Sequence, residues 1–215
     1  MTTLSTIDEA LKRIRRGEMV LVVDDEDREN EGDLTMAASW VTGGAVNFML
    51  RWARGLVCMP CDAERLDQLQ IDPMVPPERA GCDTAFSVSI DHRSAGSGIG
   101  AGDRAVTIRK VLDPLTRSDE FVRPGHVFPL RARPGGVLER RGHTEAAVDL
   151  ARLAGLPPAA VICEVLNDDG SPARLAFLEH FATEHRVAMI SVDQVAERRQ
   201  QVECSAAPVG APLLL

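Results

Sequence analysis

From Glu18 to Gln201 short apolar runs alternate with stretches of helical period, and this alternation restricts the fold more than any other feature. Glu18–Val23 (EMVLVV) reads as a buried strand, and Leu34–Ala38 as a second one beyond an acidic loop. Ala45–Ala53 predicts a mostly apolar helix opened by Gly43 and Gly44; Leu56–Met59 predicts a short strand and Ala63–Leu69 a short amphipathic helix. Phe86–Ile90 alternates Phe, Ser, Val, Ser and Ile, the period-2 pattern of a half-buried strand. Asp103–Val111 has helical spacing and His126–Leu130 is strand-like. Thr144–Leu153 aligns Ala146, Ala147, Leu150, Ala151 and Leu153 on one helical face, with Gly155 as its stop. Ala159–Leu166 reads as a strand, Leu175–Glu184 as a helix, Ala188–Val192 as a strand and Gln194–Gln201 as a helix. Strands that alternate with helices specify a layered α/β domain.

A chain of 215 residues suits one such domain. We expect it to fill residues 1–203, with the Ala- and Pro-rich residues 204–215 as a poorly ordered tail. Apolar residues at 45% and charged residues at 26% exclude a disordered, collagenous or coiled-coil chain. A net charge of −8 argues against a general nucleic-acid binder, which needs a basic face to displace counterions. No apolar run approaches the roughly 18 residues of a membrane span. Met1–Thr6 carries neither the basic nor the apolar part of a secretory signal, and five cysteines fit reduced thiols. The expected location is the cytoplasm.

Four segments carry chemistry. Asp24–Asp33 (DDEDRENEGD) packs seven carboxylates into ten residues at the end of a buried strand, interrupted by Arg28 and Gly32. Ligand sites in α/β sheets sit at such strand ends, and a hard divalent cation wants carboxylate oxygens. A solvated charged loop is the equal alternative. Arg140-Arg141-Gly142-His143-Thr144-Glu145 runs into a helix start, where unpaired N–H groups and a positive dipole end suit a phosphate. Ordinary capping by Thr144 and Glu145 is the competing explanation, and His143 is a candidate metal ligand. Arg123–Leu130 (RPGHVFPL) sets His126 at a strand edge, alone a weak signal. Cys163–Gly170 sets Glu164 in an apolar strand, where a carboxylate needs a partner or a task in proton transfer. Cys58-Met59-Pro60-Cys61 matches a redox pair, but no second pair for zinc and no other thioredoxin-like feature accompanies it. The glycine run 96–102 lacks the patterns of a nucleotide-binding loop.

Together these segments resemble the 3,4-dihydroxy-2-butanone 4-phosphate synthase family of riboflavin biosynthesis. The resemblance rests on Asp27–Asp33 (DRENEGD), Asn47-Phe48-Met49, Arg54–Cys58, Thr84-Ala85-Phe86, Asp103-Arg104, Arg123–Leu130, Gly142–Ala146 (GHTEA) and Cys163–Asp169, and spans roughly residues 5–200. It implies an α/β sandwich with a mixed sheet, and a Mg²⁺- or Mn²⁺-dependent lyase that works as a homodimer with active sites at the interface. Such a lyase converts D-ribulose 5-phosphate to L-3,4-dihydroxy-2-butanone 4-phosphate and formate. By position, the resemblance implies Glu29 and His143 as metal ligands. Arg28, Glu29, Asp33, Arg140, Arg141, Gly142, His143 and Thr144 become substrate contacts, with Arg140 and Thr144 at the phosphate. His126 and Glu164 fall on positions essential to catalysis in that family, and Glu31 and Asp33 are further candidates to move protons. The family often reads Thr-Gly-Ile/Val-Ser-Ala-x-Asp-Arg where this chain has Ser97–Arg104, so Gly100 stands where a hydroxyl is usual. Many relatives continue into a GTP cyclohydrolase II domain; ending at Leu215, this chain is expected to be monofunctional.

Overall fold

The computed structural model describes residues 4–206 apart from residues 26 and 82. Val20-Leu21-Val22-Val23 forms β1 (Val20–Val23), and all four side chains are buried because both faces of the strand are covered. Leu21 and Val23 enter one core, Val20 and Val22 a second core on the opposite side. That division sets the plan of the molecule, a sheet between two helical layers.

Among the described residues the sheet has seven strands: β1, β2 (Gly32–Ala37), β3 (Cys58–Cys61), β4 (Ile90–His92), β5 (Phe121–Arg131), β6 (Ala160–Glu164) and β7 (Ala188–Ser191). Their order is β4-β5-β3-β6-β2-β1-β7. β1–β7 and β3–β5 pair in parallel, whereas β1–β2, β2–β6, β3–β6 and β4–β5 are antiparallel, so the sheet is mixed. Helices α1 (Ile7–Arg15), α5 (His143–Leu153) and α7 (Val192–Ala206) lie on one face, through Leu11, Ile14, Ala146, Leu150, Val195 and Ala196. The other face takes α2 (Gly43–Phe48), α3 (Ala63–Gln68), α4 (Ala101–Leu112) and α6 (Leu175–Glu184) through Val46, Leu66, Ile108, Leu178 and Phe181. The layered α/β class expected from the alternation is the architecture found.

Several elements differ from expectation for identifiable reasons. The apolar stretch after Gly43-Gly44 stops being α-helical at Phe48 and continues as a π-helical turn over Met49–Ala53, closed by Arg54 in the left-handed region at φ 71. The strand expected at Leu56–Met59 begins at Cys58 and ends at Cys61, which is where β5 and β6 offer partners. The strand expected at His126–Leu130 starts earlier, at Phe121, because β4 pairs with its first half. Phe86–Ile90 inverts the expected phase: Ser87 and Ser89 are buried, while Phe86 and Val88 are half-buried. Backbone bonds to Asp72, Met74 and Pro129 cover this segment on both sides, so burial there is decided by its neighbours and not by the hydropathy of alternate residues. Of the expected tail, residues 204–206 continue α7 as helix; residues 207–215 lie outside the described residues.

Candidate active site

The period of β2 and β6 aims two carboxylates at one spot. In β2, Leu34 and Met36 face the α2 and α4 side, which turns Asp33 toward α5; in β6, Cys163 and Ile162 divide in the same way and turn Glu164 with Ile162. Asp33 and Glu164 are cross-strand partners. Cys58, paired with Ile162 from the next strand, completes this floor. Over it opens a cleft of about 180 Å³ walled by Arg28, Glu29 and Glu31 on one side, by Arg140, His143 and Thr144 on another, and by Thr84, Phe86 and Leu130.

The acidic loop is built around Asp24, whose side chain is 1% exposed. Its oxygens accept from the backbone N–H of Glu29 (3.1 Å) and of Glu31 (2.8 Å) and from Arg28 (2.7 Å). Arg28 also grips both oxygens of Glu29, at 2.9 and 3.0 Å. So restrained, the Glu29 carboxylate meets His143 Nδ1 at 3.4 Å. The His143 contact and the Arg28 charge outweigh partial burial and hold Glu29 down to about 2. Burial alone would depress the His143 imidazole, but Asp33, Glu29 and Asp24 push it up to about 9. Burial, with the charge of Glu164, Glu29 and Glu31 added, raises Asp33 to about 7 against the opposing charge of His143. Glu31 is likewise raised, chiefly by burial and then by Glu29. Glu164 has its partner: the Leu56 N–H donates to Oε2 at 2.8 Å.

Asp24, Glu29 and His143 offer ligand atoms within 4.8 Å of one another. The residues fit a divalent cation by two observations. His143 Nε2 is buried without a hydrogen-bond partner, and the surrounding carboxylates favour a positive charge beside the imidazole, proton or metal. The Asp24 side chain is buried and accepts three hydrogen bonds, whereas the Glu29 carboxylate is half-exposed and His143 Nε2 is unpartnered, so these two are the more accessible ligands. A hard cation held by few protein groups keeps positions for water and substrate oxygens.

His143 is the first residue of α5, so the same cleft opens on the N-terminus of that helix. Its N-cap is Gly142, and no side chain caps the first turn. Glu145, read from sequence as a capping partner, instead accepts from Arg140 Nη1 (2.7 Å) and the Arg133 N–H (3.1 Å). Arg140 folds back over the helix start so closely that a Cβ on Gly142 would lie 2.0 Å from Nη1. Thr144 lines the cleft. Arg141 does not: it turns outward and pairs with Asp193 on α7.

His126 does not line the cleft either. It stands at the β4–β5 edge with Nδ1 2.6 Å from Asp91 Oδ2 and its backbone N–H 2.9 Å from Oδ1. An acceptor at Nδ1 directs the basic Nε2 outward, and the side chain is 43% exposed. Gly98, at φ +83, allows the glycine-rich loop to close on this pair, since a Cβ there would lie 2.0 Å from Asp91 Oδ2. Ser97 spends its hydroxyl on Asp103, which also accepts from the N–H groups of Gly96 and Gly98.

Sequence reasoning quoted the segments that hold Asp24, Cys58, Thr84 and Phe86 without naming these four as site residues, and it missed Asp91 altogether. The motif at Cys58 pointed elsewhere: Cys58 and Cys61 enter different cores on opposite faces of β3, which prevents their pairing. Burial raises both thiols, so neither has the lowered pKa of a reactive cysteine.

The family model described as 3,4-dihydroxy-2-butanone 4-phosphate synthase matches residues 8–198. The chain is 54% identical over 202 residues to riboflavin biosynthesis protein RibBA of Aquifex aeolicus, covering 93% of this chain and 50% of that one. It is 52% identical over 191 residues to the 3,4-dihydroxy-2-butanone 4-phosphate synthase of Agrobacterium fabrum, covering 88% and 90%. It is similar to a solved 3,4-dihydroxy-2-butanone 4-phosphate synthase in complex with two magnesium ions, with a TM-score of 0.85, 38% identity and coverage of 93% and 99%. The chain spans about half the length of several curated relatives it matches.

Proposed function

The chain belongs to the 3,4-dihydroxy-2-butanone 4-phosphate synthase family, and from that premise we propose that it is a lyase of riboflavin biosynthesis. It acts in the cytoplasm, converts D-ribulose 5-phosphate to L-3,4-dihydroxy-2-butanone 4-phosphate and formate, and requires Mg²⁺ or Mn²⁺. One observation carries this reading: a single cleft gathers a cation-seeking pair, Glu29 and His143, and the uncapped helix start that His143 itself opens, with Arg140 beside it. That combination of groups suits a short polyhydroxy ketone with a terminal phosphate.

The α5 N–H groups, Thr144 and Arg140 hold the phosphate, with Gly142 admitting the close approach. Anchored there, the sugar is oriented along the floor before any bond changes. Arg28 fixes the Glu29 carboxylate, and Glu29 with His143 holds the cation. When bound, that ion polarises the carbonyl and stabilises the negative charge that builds on its oxygen after proton removal. Asp33, raised to about 7, is matched to taking and returning protons near neutral pH, and Glu31 and Glu164 stand beside it for further transfers. Arg141, tied to Asp193 and turned away from the cleft, is left without a substrate contact within its own chain.

His126 enters from a second copy. The protein acts as a homodimer whose sites lie at the interface, a reading supported by the sheet edge around His126 and Asp91. There Ile99 is 55% exposed and Val122, partner of Asp91 in the ladder, is 43% exposed. A partner covering that edge carries the outward Nε2 of His126 to a cleft its own chain does not offer it.

The test is formate release from ribulose 5-phosphate with Mg²⁺ and again with EDTA. Formate is expected with metal and none with EDTA, and Glu29→Gln or His143→Ala should lower kcat at least 100-fold with an unchanged melting temperature. Metal-independent formate, or near-normal turnover in either variant, defeats the metal assignment. No formate from folded, metal-supplied protein means an inactive homologue.

A further inference from the structure

The acidic loop is tied down from outside as well as within, and the outer tie has no part in the chemistry above. Arg174, the residue before α6, donates through Nη1 to the carbonyl of Glu29 at 2.7 Å and to the carbonyl of Asn30. Asn30 sits in the left-handed region at φ 54, so the chain turns sharply where these two carbonyls converge. Asp24 gathers the N–H groups of Glu29 and Glu31 from the inner side. The peptide units on both sides of Glu29 are thus held by opposite charges, and from this fixed backbone the Glu29 carboxylate, gripped by Arg28, meets His143 Nδ1. The loop has little else to hold it: Asp25, Asp27, Arg28 and Glu29 are exposed, and the next buried side chain is Asp33.

We propose that Arg174 is a positioning residue for the metal site, holding the Glu29 carboxylate in register with His143 before the cation arrives. The inference rests on the metal reading given above. Without the guanidinium the loop loses the tie between Glu29, Asn30 and α6, and a cation must then order the loop as it binds. Outer partners of this kind change metal affinity by roughly 10–100-fold.

The test is Mn²⁺ binding by electron paramagnetic resonance, without substrate, on the full chain and on Arg174→Ala and Arg174→Lys. Trypsin cleavage after Arg28 and the melting temperature of the metal-free proteins are measured alongside. Arg174→Ala should weaken Mn²⁺ at least 10-fold and speed cleavage after Arg28. Its melting temperature should stay within about 2 °C, since the bond lies on an exposed loop. Arg174→Lys, which keeps a donor and the charge, should recover part of the affinity. If the parent protein binds Mn²⁺ and Arg174→Ala binds it equally well, the proposal fails while the metal site stands. If the parent protein binds none, the metal reading fails and takes the proposal with it. A melting temperature that falls by more than 5 °C in both variants would make Arg174 a general fold contact and overturn the positioning role.

Discussion

Asp33 shows most directly how this fold trades stability for chemistry. An aspartate in water titrates near 4, whereas Asp33, 3% exposed and facing other carboxylates, is raised to about 7. A carboxyl raised on folding favours the folded state at low pH. That support is lost as pH climbs from the unfolded value of about 4 through the folded value, leaving an ionised buried group that opposes folding above pH 7. Replacing Asp33 with Asn keeps the shape and removes the charge. In EDTA, Asp33→Asn should therefore raise the melting temperature at pH 8 by roughly 2–4 °C, about 1 kcal/mol for a chain of this size. The advantage should shrink steadily toward pH 4, and formate production should fall. Melting curves across that range decide it, and identical curves at pH 8 would show that the carboxyl is not held at high pKa.

At the scale of elements, what was legible followed from whether a signal was local. Glu29, Arg140, His143 and Glu164 each sat in a short segment whose residue types conflicted with a purely structural task, and each lines the cleft. Asp91 had no such signal, and the one at Cys58 pointed to a redox pair. Asp91 becomes the partner of His126 only through the irregular register of β4 on β5, and Cys58 reaches the floor only because β3 pairs with β6 at Ile162. Such pairings join distant stretches of chain that no local pattern links. The same holds for Gly55, an unremarkable glycine in sequence. It lies against β6 so tightly that an added Cβ would sit 2.4 Å from the Glu164 carbonyl oxygen and 2.6 Å from Oε2. Gly55 also donates its N–H to that carbonyl, and the next N–H, of Leu56, holds the carboxylate. Gly55→Ala should force the two segments apart, costing about 1–3 kcal/mol in urea denaturation. Because the displaced group is Glu164, kcat should drop at least 10-fold. A variant with parental stability and turnover would mean that β6 yields to the methyl group without moving its carboxylate.

At the scale of the whole molecule, one chain holds the proposed site residues at two separate places. Glu29, His143, Asp33 and Glu164 share the cleft beneath the α5 N-terminus, while His126, aimed outward by Asp91, stands on the β4–β5 edge among exposed apolar side chains. In the proposed homodimer two-fold symmetry would reconcile the two, because an isologous interface would bring the edge of each copy to the cleft of the other and make two equivalent sites. This arrangement has a consequence that a site within one chain does not share. Glu29→Gln and His126→Ala are each expected to be nearly inactive as pure proteins. In a heterodimer of the two, purified through different tags, one site joins the intact Glu29 of one chain to the intact His126 of the other, and the second site carries both lesions. About half the activity of the parental dimer should return, since one of its two sites is whole. If His126 served the cleft of its own chain, every site in the heterodimer would carry one lesion and activity would stay at the level of the single variants. Formate release per heterodimer separates these results, and no recovery would return His126 to a role within its own protomer.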